Sequence, residues 1–139
     1  MKGHDPEFIR NRIEWRAGKH NFPYPCSNYW RKAPEKIANA VPKSFSNPVI
    51  YSALDAENFT VIGVDEVFIG HNALPDSFEI DRIRAIRPHP MMSSPTDKKS
   101  LSGLEVERTE GRVSILACEA GAPCFAIWNI LLTLIGMKR

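Results

Sequence analysis

The chain has 139 residues, of which 43% are hydrophobic and 24% charged, and its net charge is +2 at pH 7. This length is sufficient for the core of one domain, and the composition is that of a globular protein, which excludes disordered and collagen-like classes. Three cysteines at irregular spacing do not form a disulfide framework, and the charged N-terminal stretch lacks the apolar segment of a signal peptide. These features together predict a reducing, cytoplasmic compartment.

The charge is unevenly distributed along the chain. Residues 8–44 hold eight basic and two acidic residues, a net charge of +6, whereas residues 45–139 hold nine basic and twelve acidic residues, a net charge of −3. A basic N-terminal arm over residues 1–47 is therefore predicted to precede a mildly acidic body over residues 48–139. The arm either docks on that body or contacts an acidic partner, nucleic acid included.

The arm begins with a predicted helix. Asp5-Pro6-Glu7 supplies a capping oxygen, a proline suited to the first turn and an acidic side chain near the positive end of the helix dipole. Phe8, Ile9 and Ile13 are predicted to share one face of this helix, and Gly18 is expected to end it. A second, short helix is predicted over Pro34–Val41.

Between these helices, the stretch Asn21–Lys32 combines two prolines, four aromatic residues and two basic residues. Pro23 and Pro25 favour an extended path. In one interpretation the aromatic and basic side chains stack on single-stranded nucleic acid. In the other, the aromatic side chains cover the last helix of the chain. The candidate binding residues are Tyr24, Tyr29, Trp30, Arg31 and Lys32.

From Val49 onward the pattern is typical of β-strands, rich in β-branched and aromatic residues and punctuated by turns. Strands are predicted over residues 49–54, 59–64, 67–71, 78–87 with a bend near Asp81, 101–108 and 112–118. Asn72–Ser77, with Pro75 at its centre, is predicted to be a loop, and Pro88–Ser100 a long mobile loop. Six or seven strands at hairpin spacing favour antiparallel pairing and an α+β fold that ends in one helix.

The last helix is predicted over Pro123–Ile135. At ~1.5 Å per residue it is roughly 20 Å long, which is short of the ~30 Å of a bilayer core, so a membrane span is not expected. Its apolar arc is wide enough to need two covering layers. One layer is the core; the other is the arm, a second copy of the chain or a protein partner. The residues predicted to form an interface on this helix are Ile127, Trp128, Ile130 and Leu134.

The sequence gives little support to catalysis. Cys26 with His20 is the candidate nucleophile and base of a small cysteine-dependent hydrolase, but such a pair needs a third, orienting group that the sequence does not identify. His71, His89, Asp76 and Asp81 lack the spacing of metal ligands. No catalytic residue, metal or cofactor is predicted, and a non-catalytic binding protein is favoured over an enzyme.

Two arginines near the end of a predicted strand are a further candidate binding site. Arg82 and Arg84 are two residues apart, so they can share one face of the chain and bind an anion. Alternatively, they form ion pairs with Glu105 or Glu107 on a neighbouring strand.

Three segments carry a family resemblance: FTVIGVDEVFIGH at 59–71, FEIDRIRAI at 78–86 and LEVERTEGRVSILACEAG at 104–121. Over residues 48–137 the chain resembles the pleckstrin-homology-like superfold, in particular small bacterial domains of that kind. The resemblance implies an antiparallel barrel capped by the C-terminal helix with Trp128 facing inward, and a binding scaffold that has no catalytic residues. The basic phosphoinositide pocket of the eukaryotic members is replaced here by the acidic turn 55–58, so phosphoinositide binding is not expected. A protein partner or a homo-oligomer is expected instead.

Overall fold

The computed structural model describes residues 5–72, 74–89 and 101–138, and it has an α+β fold. The three helices are α1 (Pro6–Lys19), α2 (Glu35–Ala40) and α3 (Ala122–Lys138). The strands are β1 (Ser27–Tyr29), β2 (Pro48–Asp55), β3 (Asn58–Gly63), β4 (Glu66–His71), β5 (Leu74–Glu79), β6 (Ile83–Pro88), β7 (Gly103–Arg108) and β8 (Val113–Ala117).

The strands form two antiparallel sheets and not one closed barrel. The first sheet has the order β1-β2-β3-β4-β5 and the second the order β6-β7-β8. A 3₁₀ turn, Ile80–Arg82, carries the chain from β5 to β6. The sheets meet where the Thr60 hydroxyl donates a 2.9 Å hydrogen bond to the carbonyl of Ala117. The antiparallel pairing predicted from the hairpin spacing is confirmed, whereas the closed barrel is not formed.

The central strands of the five-stranded sheet, β2 to β4, are buried on both faces. Ile62 and Ile69 of the inner face belong to the main core, together with the buried side of α3 and the inward residues of the second sheet. The outer face carries a second cluster, made of Ile37, Phe45, Tyr51, Ala53, Phe59, Val61 and Phe68. Helix α2 contributes Ile37 to this cluster. A sheet covered on both sides explains why its central strands read as nearly continuous apolar runs.

Helix α3 is covered by the chain itself. Ile127, Ile130 and Leu134 are at most 1% exposed and lie in the main core. Ile9 and Ile13 of α1 belong to the same core, so the N-terminal arm supplies part of the second covering layer. Within the part of the chain that the structure describes, no helix has both the length and the apolar character that a bilayer crossing requires.

Helix α1 begins as the sequence predicts. The Asp5 carboxylate accepts a 3.0 Å hydrogen bond from the backbone N–H of Phe8, and this contact satisfies one of the N–H groups that a helix start leaves without a partner. At the other end of the chain, α3 continues through Gly136 to Lys138, three residues beyond its predicted end.

Two further boundaries differ from the prediction. Asn72–Ser77 is not a loop, because Leu74–Glu79 forms β5 and pairs with β4. Pro75 fits there since β5 is an edge strand, where a missing N–H costs no ladder hydrogen bond on the open side. Strand β1 was not predicted, because its three residues follow a proline-rich stretch. Most of the predicted loop Pro88–Ser100, from residue 90 onward, lies outside the described residues.

Candidate functional site

A cavity of about 310 Å³ lies on the outer face of the five-stranded sheet, between α2 and the start of β5. We call it the outer groove. Its walls are mainly apolar, with one lysine and one glutamate among them. The lining residues are Lys36, Ala40, Ala56, Glu57, Phe59, Phe68, Gly70, Leu74 and Pro75. Leu74, at the edge-strand side of the groove, is 69% exposed, which is the largest exposure among the large apolar residues described.

The floor of the outer groove is aromatic because of one glycine. Phe59 of β3 pairs with Gly70 of β4, and a Cβ atom at position 70 would lie 2.6 Å from the Phe59 ring. Only glycine therefore lets this ring lie over the neighbouring strand. The Phe68 ring lies beside it, with 6.0 Å between the ring centroids. Helix α2 is six residues long and ends at Ala40, so the helix leaves this part of the sheet open.

A smaller cavity of about 200 Å³ adjoins the outer groove, since the two share Lys36 and Ala56. Cys26, an exposed free thiol, and Tyr51, which is 4% exposed, line this second cavity. Burial raises the pKa of Tyr51, and the nearby Cys26 and Glu119 raise it further. The phenol is therefore neutral and available as a hydrogen-bond donor at neutral pH.

A buried polar network behind this cavity ties β1 to the body of the domain. The Glu119 carboxylate accepts hydrogen bonds from the backbone N–H of Cys26 (2.9 Å) and from the Ser27 hydroxyl (2.7 Å). The Ser27 and Ser52 hydroxyls are 2.8 Å apart, and Ser52 accepts from the backbone N–H of Glu119 at 2.9 Å. Ser27 and Ser52 are fully buried. These residues position Cys26 at the smaller cavity and were not found from the sequence, because Ser27 and Glu119 are separated by 92 residues.

The aromatic residues of the proline-rich stretch Asn21–Lys32 are part of the fold. Tyr24 and Tyr29 are partly buried against the main core, and the Tyr24 hydroxyl donates to the carbonyl of His20 at 2.5 Å. Trp30 packs against the second cluster instead, so it does not cover the last helix. Arg31 and Lys32 are exposed. The structure thus separates the predicted aromatic patch into a core-facing part and an exposed basic part.

The two candidate arginines on the second sheet form surface ion pairs. Arg84 lies 3.7 Å from Glu107, across the β6–β7 pair as the sequence predicts. Arg82 instead lies 3.9 Å from Glu79, three residues before it in the chain. The arginine side chains are 60% or more exposed, so these pairs contribute little to stability.

A third arginine is more strongly held, and the sequence analysis missed it. Arg108 is 4% exposed, and its Nη2 atom lies 2.7 Å from Asp76 Oδ2 and 2.6 Å from the Ser114 hydroxyl. Its guanidinium carbon stands 4.4 Å from the centroid of the Phe78 ring. Because Asp76 and Phe78 belong to β5 while Arg108 ends β7, this side chain joins the two sheets. Alternate residues of a strand share a face, so the apolar Leu104 and Val106 could have indicated that Arg108 lies on the buried face as well.

The predicted interface on α3 is largely inside the molecule. Ile127, Ile130 and Leu134 are buried in this chain's own core, and Trp128 is partly buried against it. Three of the four residues therefore have no surface to offer a second molecule in this fold. Among the large apolar side chains described on this helix, Leu132 is the exposed one, at 50%.

The arrangement around Cys26 gives no support to thiol catalysis. Among the described residues, no hydrogen bond joins the Cys26 thiol to His20, whose ring packs edge-on against Phe125 with centroids 6.3 Å apart. Burial, and then the charge of Arg16, lower the pKa of His20. Within the same residues, no group of three His, Cys, Asp or Glu side chains could hold a metal ion.

Comparison with protein-family models, curated proteins and solved structures gives no match for this chain. A function must therefore be inferred from the structure of the chain itself, and the outer groove, a mainly apolar cavity, is its candidate binding site.

Proposed function

We propose that this chain is a non-catalytic binding protein and that the outer groove is its binding site. The observation that carries the proposal is the apolar cavity of about 310 Å³, with its floor of Phe59 and Phe68 and the exposed Leu74 at its edge. Binding pockets are typically concave and mostly apolar with a few polar groups, and this groove has Lys36 and Glu57 in that role.

We further propose that the scaffold is pleckstrin-homology-like. The support is the order of the elements: four consecutive antiparallel strands, β2 to β5, are followed by three more, β6 to β8, and then by the helix α3, which packs on both sheets. The same segments carry the sequence resemblance. A fold does not by itself define a function, so the proposed binding role rests on the outer groove and not on the type of scaffold.

The occupant that suits the groove best is an apolar side chain of a protein, either a second copy of this chain or a different one. The groove opens beside β5, which is an edge strand. A partner segment there can insert a side chain into the groove and pair its backbone with the open edge of β5. Fully burying a leucine-sized side chain is worth about 1.5–3 kcal/mol, so Leu74 and one inserted residue would give a modest but specific contact.

The test uses 1-anilinonaphthalene-8-sulfonate, an anionic dye whose aromatic rings fluoresce in apolar sites, as a probe of the groove. Ala40→Trp fills the groove from its rim without removing a core contact, because Ala40 is exposed and lines the cavity. Ala120→Trp is the matched control, since Ala120 is exposed and does not line the cavity. We expect saturable dye fluorescence with the wild type and the control, and a large loss with Ala40→Trp. Equal dye binding by all three proteins would reject the groove as the site.

Light scattering over a range of protein concentrations identifies the occupant. If a second copy fills the groove, the wild type will associate and Ala40→Trp will remain monomeric. A wild type that is monomeric throughout points to a different protein as the partner.

A further inference from the structure

The first helix turns a basic and aromatic face to solvent. Its opposite face carries Ile9, Ile13 and Ala17, which are buried in the main core and fix the orientation of the helix. Trp15, in contrast, is 51% exposed. An indole ring held in solvent on a helix that is already anchored elsewhere has no role in the core of this chain.

Three cations surround the exposed ring. The guanidinium carbons of Arg12 and Arg16 stand 5.5 and 5.8 Å from the centroid of Trp15, and the Lys19 ammonium stands 5.3 Å from it. Within the described residues, no ion pair joins any of these three side chains to a carboxylate. Their positive charge is therefore not neutralised by the protein.

Another cation of the arm is already paired. Arg31 lies 3.5 Å from Glu14 of α1, and its guanidinium stands over the Tyr29 ring at 4.9 Å. Tyr29 itself is partly buried against the main core. We therefore give the name basic-aromatic patch to the surface formed by Trp15 and the three cations around it, Arg12, Arg16 and Lys19.

We infer that the basic-aromatic patch binds single-stranded nucleic acid. Cations contact the phosphates of such a ligand, and an exposed ring between them stacks on a base. The whole stretch of residues 8–44 has a net charge of +6, which adds a longer-range attraction for a polyanion. This inference concerns a surface distinct from the outer groove and does not depend on the function proposed for that groove.

An anionic membrane is a poorer fit to the same patch. A helix that lies on a bilayer separates an apolar face, which inserts, from a cationic face that stays in water. Here the apolar face of α1 is already used in the core, and the cations surround the exposed ring. A single indole among charges supports stacking on a base better than insertion into lipid.

The test is fluorescence anisotropy of a labelled oligothymidylate of about 15 nucleotides, which is near the upper site size of single-strand-binding modules. Trp15→Ala removes the stacking ring, and we expect it to weaken the affinity roughly tenfold or more. The double variant Arg12→Glu/Lys19→Glu removes two phosphate contacts and should abolish binding at moderate salt. Each phosphate contact lowers the logarithm of affinity by about 0.7 per tenfold rise in salt, so the three cations of the patch predict a slope of about −2.

The matched control is Lys43→Glu/Arg112→Glu, which makes the same change of charge at two exposed cations outside the patch. We expect the control, and also Ala40→Trp in the groove, to bind the oligonucleotide nearly as the wild type does. Circular dichroism verifies that each variant is folded. The inference is overturned if the wild type does not bind at low salt, or if the control loses as much affinity as the patch variant. It is also overturned if the patch is needed only for binding to phosphatidylserine vesicles.

Discussion

Replacing Glu119 by alanine should loosen the attachment of the N-terminal arm, because this carboxylate is the acceptor that completes the hydrogen-bond network behind the smaller cavity. One of its oxygens accepts from the Cys26 backbone and from the Ser27 hydroxyl, at 2.9 and 2.7 Å. Ser52 then bonds both to Ser27 and to the backbone N–H of Glu119. In the Glu119→Ala variant, that backbone N–H still donates to Ser52.

The expected loss in the free energy of unfolding follows from counting the hydrogen-bond donors that lose their acceptor. Without the carboxylate, one of the two hydroxyl hydrogens of Ser27 and Ser52 has no acceptor within the network, and both residues are 0% exposed. A buried donor without a partner costs about 1–3 kcal/mol. The Cys26 N–H is at an exposed residue and can bond to water, so it adds little. We therefore expect Glu119→Ala to lower the free energy of unfolding by about 2 kcal/mol.

Urea denaturation followed by far-UV circular dichroism measures this loss, and hydrogen exchange of the β1 amides shows whether it is local. Glu119→Gln keeps an acceptor oxygen and should cost less, about 1 kcal/mol or below, since only the charge is lost. Glu57→Ala, an exposed carboxylate in the β2–β3 turn, is the control and should have almost no effect. If Glu119→Ala lowers the free energy of unfolding no more than Glu57→Ala does, the network does not hold β1 on the body of the domain.

Two further predictions concern other buried groups. Arg108→Met should lower the free energy of unfolding by about 2–4 kcal/mol. This loss is below the full cost of breaking a buried ion pair, because Asp76 is 38% exposed and can be hydrated. A change under about 1 kcal/mol in urea denaturation would contradict the prediction. Ellman's reagent should modify Cys26 rapidly in the native protein. Cys118 and Cys124 should react only on unfolding, because both thiols are buried. A hydrogen bond to Cys118 and burial also raise the pKa of the Cys124 thiol. If all three thiols react at one rate, Cys118 and Cys124 are not protected by the fold.

The features that could be predicted from the sequence are those set by neighbouring residues. The cap at Asp5, the β3–β4 hairpin and the pairing of Arg84 with Glu107 all follow from local patterns and from the period of a strand. Pro75 misled the prediction, because a proline is compatible with an edge strand, and edge position depends on the whole sheet.

The candidate binding site could not be predicted from local sequence patterns. The outer groove is formed where Lys36 and Ala40 of α2 stand over Phe59 and Phe68 and beside Leu74, and no sequence period connects these positions. The sequence left three alternatives open for the second cover of α3, because the docking of α1 against it depends on contacts between the two ends of the chain. The basic and aromatic face of α1 is a local feature, but Trp15 lies outside the proline-rich stretch in which the other aromatic and basic residues are concentrated.

The outer groove is tested most directly by a residue-resolved titration of the ¹⁵N-labelled protein with the dye, followed by heteronuclear single-quantum NMR. We expect saturable shifts centred on the amides of Phe59, Phe68, Gly70 and Leu74, and their loss in Ala40→Trp. Shifts centred elsewhere, for example around Ser114 on the other side of β5, or no saturable shift at all, would contradict the assignment of the groove as the binding site.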